Sequence, residues 1–189
     1  MDYNVNLWNK YTDENKQDLQ SSRFDLIYSA TMILNAKKVC EAGCNIGNNL
    51  TAFPTDYDIT GFDMNEYAIQ QAKSKFPKFN FSIQNITGTS FSDNEFDLVF
   101  TRGVLIHIHS NAINNSMNEL LRISNKWVLN LEYFGEDGKM IDWKRGKDLL
   151  WYRNMKELWK KFNVEIVSDC EIPIEIDKRK MHLTLIKKL

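Results

Sequence analysis

The residues of this chain best suited to bind a small ligand lie in a loop that reads Glu41-Ala42-Gly43-Cys44-Asn45-Ile46-Gly47, after an apolar strand-like run. Because Gly43 and Gly47 lack a Cβ atom, the backbone can turn tightly there and a ligand can approach it closely. An acidic residue, Asp63, follows Gly43 by 20 residues, at the end of a second strand-like run. This spacing is typical of a Rossmann-like nucleotide unit, in which the acidic side chain accepts hydrogen bonds from a ribose.

Glu41, which begins the loop, indicates what kind of ligand fits. In a dinucleotide-binding loop the glycines and the helix N-terminus hold a pyrophosphate, which a carboxylate would repel. Here the loop begins with Glu41, and Asn45 stands where that fingerprint has its middle glycine. The loop therefore favours a ligand with a cationic group.

This stretch resembles the first motif of class I S-adenosylmethionine (SAM) methyltransferases, which reads acidic-x-Gly-x-Gly-x-Gly. Glu41, Gly43, Asn45 and Gly47 fall on the motif, and Asn45 is the departure from it. Asn is among the non-glycine residues that best tolerate left-handed backbone geometry. The resemblance implies that SAM is the cofactor and S-adenosylhomocysteine (SAH) the product.

Apolar runs of strand length alternate with helical patterns along the chain, which predicts a parallel sheet with helices on both faces. The last two strands follow each other without a clear helix between them, and in SAM methyltransferases such a hairpin adds one antiparallel strand. We therefore predict a single α/β domain over residues 1–189, a Rossmann-like methyltransferase with a seven-stranded, mostly parallel sheet. The predicted strands are 38–42, 59–63, 80–84, 96–101, 127–132, 164–168 and 181–187, and the predicted helices are 24–36, 65–76, 112–123 and 146–162, with a short one after residue 47.

Ligands of such a sheet bind outside the carboxyl ends of the strands. Beyond the loop at Glu41, the second strand ends in Asp63-Met64 and the third in Gln84-Asn85-Ile86. The resemblance assigns the three clusters to the methionine end, the ribose and the adenine of SAM, with Asn85 at the adenine edge. Met64 and Ile86 would enclose the purine, and the alternative is that both are ordinary packing residues.

The fourth strand leaves the sheet through Thr101-Arg102-Gly103, which the resemblance places beside the sulfonium. The sequences Phe-Asp-Leu-Val-Phe and Gly-Val-Leu-Ile-His-Ile lie within residues 96–108. They closely resemble the corresponding segment of the methylases associated with pseudaminic acid biosynthesis, a bacterial surface-sugar family. The Trp8 to Thr12 segment resembles the entry segment of that family, so residues 1–24 are expected to cover the cofactor, with Trp8 and Tyr11 in contact with it.

Methyl transfer needs a positioned acceptor and removal of its proton. His107 is the first candidate base, because a neutral imidazole accepts a proton near pH 7. The alternative is that His107 only orients its loop, and Glu132 is then the next candidate base. His109 forms an HxH pair with His107, but no third ligand stands at a readable spacing, so we predict no metal.

A short basic loop, Lys144-Arg145-Gly146-Lys147, follows the fifth strand. Arg145 could bind a phosphate or carboxylate with two hydrogen bonds, although a basic run is usually only a solvated face. Because Glu132-Tyr133 and the Arg145 region resemble the surface-sugar family, Tyr133, Lys144 and Arg145 are assigned to the acceptor. We predict an anionic acceptor, such as a nucleotide-activated sugar or a phosphorylated metabolite, and O-methylation in preference to N-methylation.

Composition restricts the partners. The chain has 24 Lys and Arg against 25 Asp and Glu and a formal net charge of -1, so no basic field draws it to nucleic acid or to anionic lipid. No apolar run approaches the length of a membrane span, and the N-terminus does not resemble a signal peptide. We predict a cytoplasmic protein with a small-molecule partner and three free cysteines. The oligomeric state cannot be read from the sequence.

Three other functions are compatible with parts of this pattern. A noncatalytic SAM-binding or nucleotide-binding module would keep the loop and lack an acceptor site. An NAD-dependent oxidoreductase also fits the loop and Asp63, but Glu41 and the lack of a Tyr-x-x-x-Lys pair disfavour it. Nucleic-acid methylation is disfavoured because the chain has neither an Asn/Asp-Pro-Pro-Tyr/Phe motif nor a basic stripe.

Overall fold

The computed structural model describes residues 4–16, 25–176 and 181–189. Its centre is a seven-stranded sheet in the order β3-β2-β1-β4-β5-β7-β6. The last strand in sequence, β7, is antiparallel to both of its neighbours, and all other neighbouring pairs are parallel. The strands are β1 (Lys38–Ala42), β2 (Asp58–Asp63), β3 (Asn80–Ile83), β4 (Phe96–Arg102), β5 (Ser124–Tyr133), β6 (Val164–Glu171) and β7 (Met181–Lys188). The helices are α1 (Val5–Asn15), α2 (Asp25–Ile33), α3 (Glu66–Lys75), α4 (Ile113–Ile123) and α5 (Met155–Trp159). The predicted fold class is confirmed.

Two apolar clusters cover the two faces of the sheet. Successive strand residues point to opposite faces, so Val39 packs in one cluster with Ile27 of α2, and Cys40 packs in the other with Met117 of α4. The central strands are apolar toward both faces, as a sheet covered by helices on both sides requires. This layering leaves the carboxyl ends of the strands as the edge where polar loops collect.

Two polar residues fix the ends of elements, as their types predict. Asn65 caps α3, its side-chain oxygen accepting from the backbone N–H of Tyr67 at 3.0 Å. Asp97, near the start of β4, accepts from the backbone N–H groups of Lys37 and Lys38 at 2.8 and 3.0 Å. Asp97 thereby ties the start of β4 to the backbone at the start of β1.

The predicted helix over residues 146–162 is wrong except for α5 (Met155–Trp159). Asp148 adopts φ +55°, a left-handed conformation that interrupts a helix. Asn154 then caps α5, accepting from the backbone N–H of Glu157 at 3.2 Å. Trp151 therefore lies outside the helix and does not share a helical face with Trp159.

The N-terminal part of the chain differs from the prediction in detail. Residues 17–24, which include the predicted start of the second helix, lie outside the described residues. Where the pattern extended that helix to residue 36, α2 ends at Ile33, because Asn35 takes φ +53°. The segment expected to cover the cofactor contains the helix α1. Asn4 caps the start of α1, because its side-chain oxygen accepts from the backbone N–H of Leu7 at 3.1 Å.

Two further predictions concern the cysteines and the possibility of a membrane-spanning helix. Cys40, Cys44 and Cys170 are all free thiols, as predicted. Among the helices that the structure describes, none combines the length and apolar character needed to span a bilayer.

Candidate active site

A cavity of about 410 Å³ lies at the carboxyl ends of β1, β2 and β4. Its wall is built by the loop after β1, the end of β2, the segment after β3, α1 and the segment that follows β4. The wall contains the predicted residues Trp8, Tyr11, Gly43, Asn45, Asp63, Met64, Asn85, Ile86, Arg102, Gly103 and His107. The predicted residues Glu41, Gly47, Thr101, Glu132, Tyr133, Lys144 and Arg145 lie outside it.

The loop after β1 turns through left-handed conformations. Gly43, Asn45 and Gly47 have φ of +72°, +48° and +73°, so Asn45 supplies the geometry that the motif elsewhere assigns to a third glycine. A Cβ atom added to Gly43 would lie 2.6 Å from a methyl of Val104. The loop is thus fitted against the segment after β4, and a larger residue at position 43 would displace one of them.

Glu41 lies directly behind this loop. Its side chain is buried, and one carboxyl oxygen accepts from the side-chain amide of Asn49, which is part of the wall. The other oxygen is buried without a hydrogen-bond partner among the described residues. Burial raises the pKa of Glu41 to about 8, because the charged form has lost its water. An unpartnered buried acceptor favours a cationic or hydrogen-bond-donating ligand close by.

Asp63 forms the wall at the end of β2. The backbone N–H groups of Asn45 and Asn65 each donate to one of its carboxyl oxygens at 2.9 Å. Burial raises the pKa of this carboxyl above its usual value. Each oxygen has a further lone pair, so Asp63 is held by the backbone and can accept from two neighbouring hydroxyls.

Apolar and amide side chains continue the wall beyond Asp63. Met64 is 44% exposed and Ile86 is 8% exposed, and both lie in the wall with Asn85. The Asn85 side-chain oxygen accepts from the backbone N–H of Thr87 at 3.0 Å, which fixes the turn after β3. This part of the wall can receive a flat apolar group, as an adenine site requires.

The exit from β4 is divided between the wall and the interior. Arg102 and Gly103 border the cavity, and Gly103 takes φ +64°. Thr101 does not border the cavity, because it is fully buried. Its hydroxyl donates to Glu132 at 2.8 Å and accepts from the side-chain amide of Asn130 at 2.8 Å. The assignment of Thr101 to the cofactor is corrected, since its side chain is committed to a buried network.

Glu132 is likewise committed to the interior. It is buried, and besides Thr101 its oxygens accept from the backbone N–H groups of Val104 and Ile106, both at 3.3 Å. Burial raises the pKa of Glu132 to about 7. Because the carboxyl lies behind the wall and holds the turn that precedes His107, the expectation that it is the reserve base is corrected to a positioning role.

His107 ends a 3₁₀ turn (Leu105–His107) and is part of the wall. Its Nδ1 lies 2.7 Å from the carbonyl oxygen of Leu149. A carbonyl can only accept, so Nδ1 carries the hydrogen and the lone pair of the neutral ring is on Nε2. Burial lowers the pKa of His107 to about 4, which keeps the ring neutral at pH 7 and makes it a weak base.

Three aromatic rings surround His107. The centroids of Trp8 and Trp143 are each 5.1 Å from its ring, and that of Tyr11 is 6.4 Å away. The three rings also contact one another at 5.7 to 6.1 Å. We call Trp8, Tyr11, Trp143 and His107 the aromatic cluster. It joins α1 to the segment after β5, and its members Trp8, Tyr11 and His107 line the cavity.

The basic loop is placed differently from the prediction. The Arg145 guanidinium lies against the rings of Tyr11 and Trp143 and pairs with the Glu14 carboxylate of α1. Lys144 is exposed and stands outside the wall. Tyr133 packs against the apolar cluster on one face of the sheet. None of the three borders the cavity. The predicted direct contact with an acceptor inside it is corrected for Tyr133 and Lys144, and the Arg145 guanidinium is occupied by Glu14.

Sequence reasoning missed the segment that holds the turn at His107. In addition to the carbonyl of Leu149, the backbone N–H of Trp151 donates to the carbonyl of Ile106 at 2.8 Å. The buried guanidinium of Arg153 donates to the carbonyls of Leu105 and Ile108. A buried arginine needs such acceptors. Because the sequence pattern predicts a helix over this segment, Arg153 does not stand out there as a residue that binds the turn.

Comparisons with known proteins agree with this architecture. Residues 39–126 match the methyltransferase domain family. A phosphoethanolamine N-methyltransferase of Triticum aestivum is 27% identical over 110 residues, which are 54% of this chain and 22% of that protein. The solved phosphoethanolamine N-methyltransferase 1 of Haemonchus contortus, in complex with phosphoethanolamine and SAH, has a TM-score of 0.75 and 17% identity over 97% of this chain and 48% of that one. The 1,6-didemethyltoxoflavin-N1-methyltransferase of Burkholderia thailandensis, with 1,6-didemethyltoxoflavin and SAH bound, has a TM-score of 0.74 and 15% identity over 97% of this chain and 87% of that one.

Residues 39–126 thus resemble a methyltransferase domain, and the fold of the chain is that of the solved methyltransferases. Both comparisons support the class predicted from the loop at Glu41 and from Asp63. The chain spans less than half the length of the two phosphoethanolamine enzymes.

Proposed function

We propose that this chain is a SAM-dependent methyltransferase that methylates a small acceptor beside His107. The observation that carries the proposal is the meeting of the glycine loop, Asp63 and the segment after β3 around one cavity of about 410 Å³, which is within the usual size range of small-molecule sites. The SAH found in the solved neighbours supports SAM as the cofactor.

The residues present fit this cofactor. Asp63 would hold the ribose hydroxyls, Met64, Asn85 and Ile86 the adenine, and the loop around Gly43 the methionine end. The unpartnered carboxyl oxygen of Glu41 stands close behind that loop, where a ligand ammonium group would favour its ionised form. Bound SAM supplies a methyl group that is already activated by the sulfonium.

The protein then has two tasks at the acceptor. The first is positioning, to which the aromatic cluster and the 3₁₀ turn contribute. The second is receiving a proton at Nε2 of His107, which the hydrogen bond from Nδ1 to Leu149 leaves available. With a pKa of about 4, His107 accepts the proton only as the methyl arrives, because it is too weak a base to ionise a hydroxyl beforehand.

Proton accounting supports oxygen as the attacking atom. A hydroxyl must lose its proton during transfer, whereas a neutral amine is already a nucleophile. A neutral histidine that can accept a proton is therefore more useful to a hydroxyl acceptor than to an amine acceptor. The resemblance of residues 96–108 to surface-sugar methylases supports a nucleotide-activated sugar or phosphorylated metabolite of bacterial surface polysaccharide biosynthesis as the acceptor. A cytoplasmic location and a small-molecule partner belong to the same proposal.

Calorimetric titration of the chain with SAM, SAH and NAD tests the cofactor, and SAH formation from SAM in the presence of sugar nucleotides and amine phosphates tests the reaction. We expect micromolar SAM and SAH binding, no NAD binding and acceptor-dependent SAH formation. Failure to bind SAM or SAH would overturn the proposal. If the chain binds SAM but forms no SAH, neither with an acceptor nor by slow hydrolysis, it is a binding module.

A further inference from the structure

The guanidinium of Arg145 is held as an anion-binding group beside the aromatic cluster. Its Cζ atom lies 4.9 Å from the centroid of Tyr11 and 4.8 Å from that of Trp143. The side chain is only 17% exposed. Flanking rings restrict the orientation of a planar guanidinium, so less freedom is lost when it binds a second partner.

The present partner of this guanidinium is an internal carboxylate. Nη2 of Arg145 pairs with Glu14 at the C-terminal end of α1, a residue 131 positions away in sequence. Nε of Arg145 is buried and has no hydrogen-bond partner among the described residues. The guanidinium therefore has a donor left over that a carboxylate bound through Nη2 does not use.

The position of this pair connects it with the proposed reaction site. Tyr11 and Trp143, the two rings that contact Arg145, also contact His107. One ring therefore separates Arg145 from the wall of the cavity. An anion on Arg145 would lie at the edge of the space where we place the acceptor.

We propose that Glu14 is an internal substitute for a phosphate group of the acceptor, and that an acceptor phosphate replaces it on Arg145. The exchange deepens the proposed function, on which it rests, by assigning the phosphate of the acceptor to Arg145 and naming Glu14 as its competitor. Glu14 is 41% exposed on its side chain, so its ion pair is screened and contributes little net stability. A phosphate has more oxygens and more charge than a carboxylate and can engage Nη2 and Nε together.

The helix need not detach for this exchange. The last turn of α1 is fixed independently, since Lys16 donates to the hydroxyl of Tyr67 at 2.8 Å and that hydroxyl donates to Asp13 at 2.8 Å. Glu14 can turn into solvent while α1 stays on α3. The aromatic cluster, which includes Trp8 and Tyr11 of α1, then remains in place around the acceptor.

Inorganic phosphate is the probe. We would titrate it at constant ionic strength into the full chain saturated with SAH and follow tryptophan fluorescence, to which Trp8 and Trp143 contribute. Glu14→Gln should bind phosphate about three- to tenfold more tightly than the unmodified chain, since it removes the competing carboxylate. Arg145→Gln should abolish binding, and Arg145→Lys should restore it in part, because it keeps the charge and loses the fork.

Glu66→Gln is the matched control, because Glu66 is an exposed acidic residue in the first turn of α3 and its substitution changes net charge equally. Equal phosphate affinity in Glu14→Gln and Glu66→Gln would overturn the proposal, as would unchanged binding by Arg145→Gln or no binding by Glu14→Gln. SAH affinity is measured in the same samples. If SAH binds normally while phosphate fails, only this inference is wrong, whereas loss of SAH binding in the unmodified chain would overturn the proposed function itself.

Discussion

The two ends of the cavity are held in place in different ways. At the proposed cofactor end, polar groups stand directly at strand ends, and the backbone N–H of Asn45 reaches Asp63 across 18 residues of sequence. At the proposed acceptor end, His107 is fixed by Leu149 across 42 residues, and Arg145 by Glu14 across 131. The proposed cofactor end depends on the sheet, and the proposed acceptor end depends on contacts that helix α1 and irregular segments make with one another.

This difference separates the expected effects of substitutions. Changes near Gly43 and Asp63 should alter the affinity for SAH and leave turnover of bound SAM little affected. Changes in the aromatic cluster should do the opposite.

The largest effect is expected at His107. His107→Gln keeps a polar side chain and removes the proton acceptor, so kcat should fall about 10²- to 10⁴-fold. The assay is SAH formation with the methyl acceptor identified as described above. The Kd for SAH should change little. His109→Gln is the control, since His109 lies in the same wall and its ring nitrogen bonds within its own loop, to Asn111. Nearly full kcat in His107→Gln would reduce this residue to a scaffold.

Gly43→Val should have the next largest effect, at the opposite end. Left-handed φ costs a branched residue about 1 to 2 kcal/mol, and the clash with Val104 adds about 1 to 3 kcal/mol. Calorimetry should show the Kd for SAH raised about 100-fold, with the circular dichroism spectrum retained. In the control Gly88→Val, the new Cβ meets nothing within 4 Å. Normal SAH binding by Gly43→Val would show that the loop is not the methionine site.

Asp63→Ala should weaken SAH binding about tenfold or more, because loss of a charged acceptor costs about 1.5 to 3 kcal/mol. The variant also leaves the N–H groups of Asn45 and Asn65 without their acceptor. Asp63→Asn, which retains one acceptor oxygen, should therefore lose less. Asp58→Ala, at the exposed start of the same strand, should bind SAH normally. Unchanged affinity of Asp63→Ala would dismiss the ribose assignment.

The smallest effect is a pH dependence at Glu41. The folded pKa of Glu41 is about 8 and its usual value is 4.5, so between these pH values the folded state retains a proton that the unfolded state releases. Stability therefore falls as pH rises through this window, by at most about 1.4 kcal/mol per pH unit. Glu41→Gln removes this dependence.

The measurement is the unfolding midpoint of the ligand-free chain from pH 5 to pH 8. The midpoint of Glu41→Gln relative to the unmodified chain should rise with pH by about 2 to 4 °C per pH unit. Glu136→Gln, in which an exposed carboxylate is neutralised, should show a constant difference. A constant difference for Glu41→Gln as well would mean that Glu41 is ionised in the folded state.

The sequence by itself determined the sheet and the cofactor end. Strand periodicity and hairpin order predicted all seven strands, and the spacing from Gly43 to Asp63 placed both residues at one edge. These features are local: a left-handed turn needs Gly or Asn, and a strand end is set by the residues of that strand. Parallel pairing then brings the strand ends together without further information.

Only the tertiary structure decided which polar groups at the acceptor end face the cavity. Thr101 and Glu132 looked like site residues and turned out to be buried under the turn at His107, while Arg145 was taken up by Glu14 and two rings. Residues 146–154 had a helical pattern, yet their backbone bonds to residues 133–141 and, through Trp151, to Ile106 of the turn. Such pairings join segments far apart in sequence, and the free energy of a contact between them depends on burial and geometry that no local spacing records.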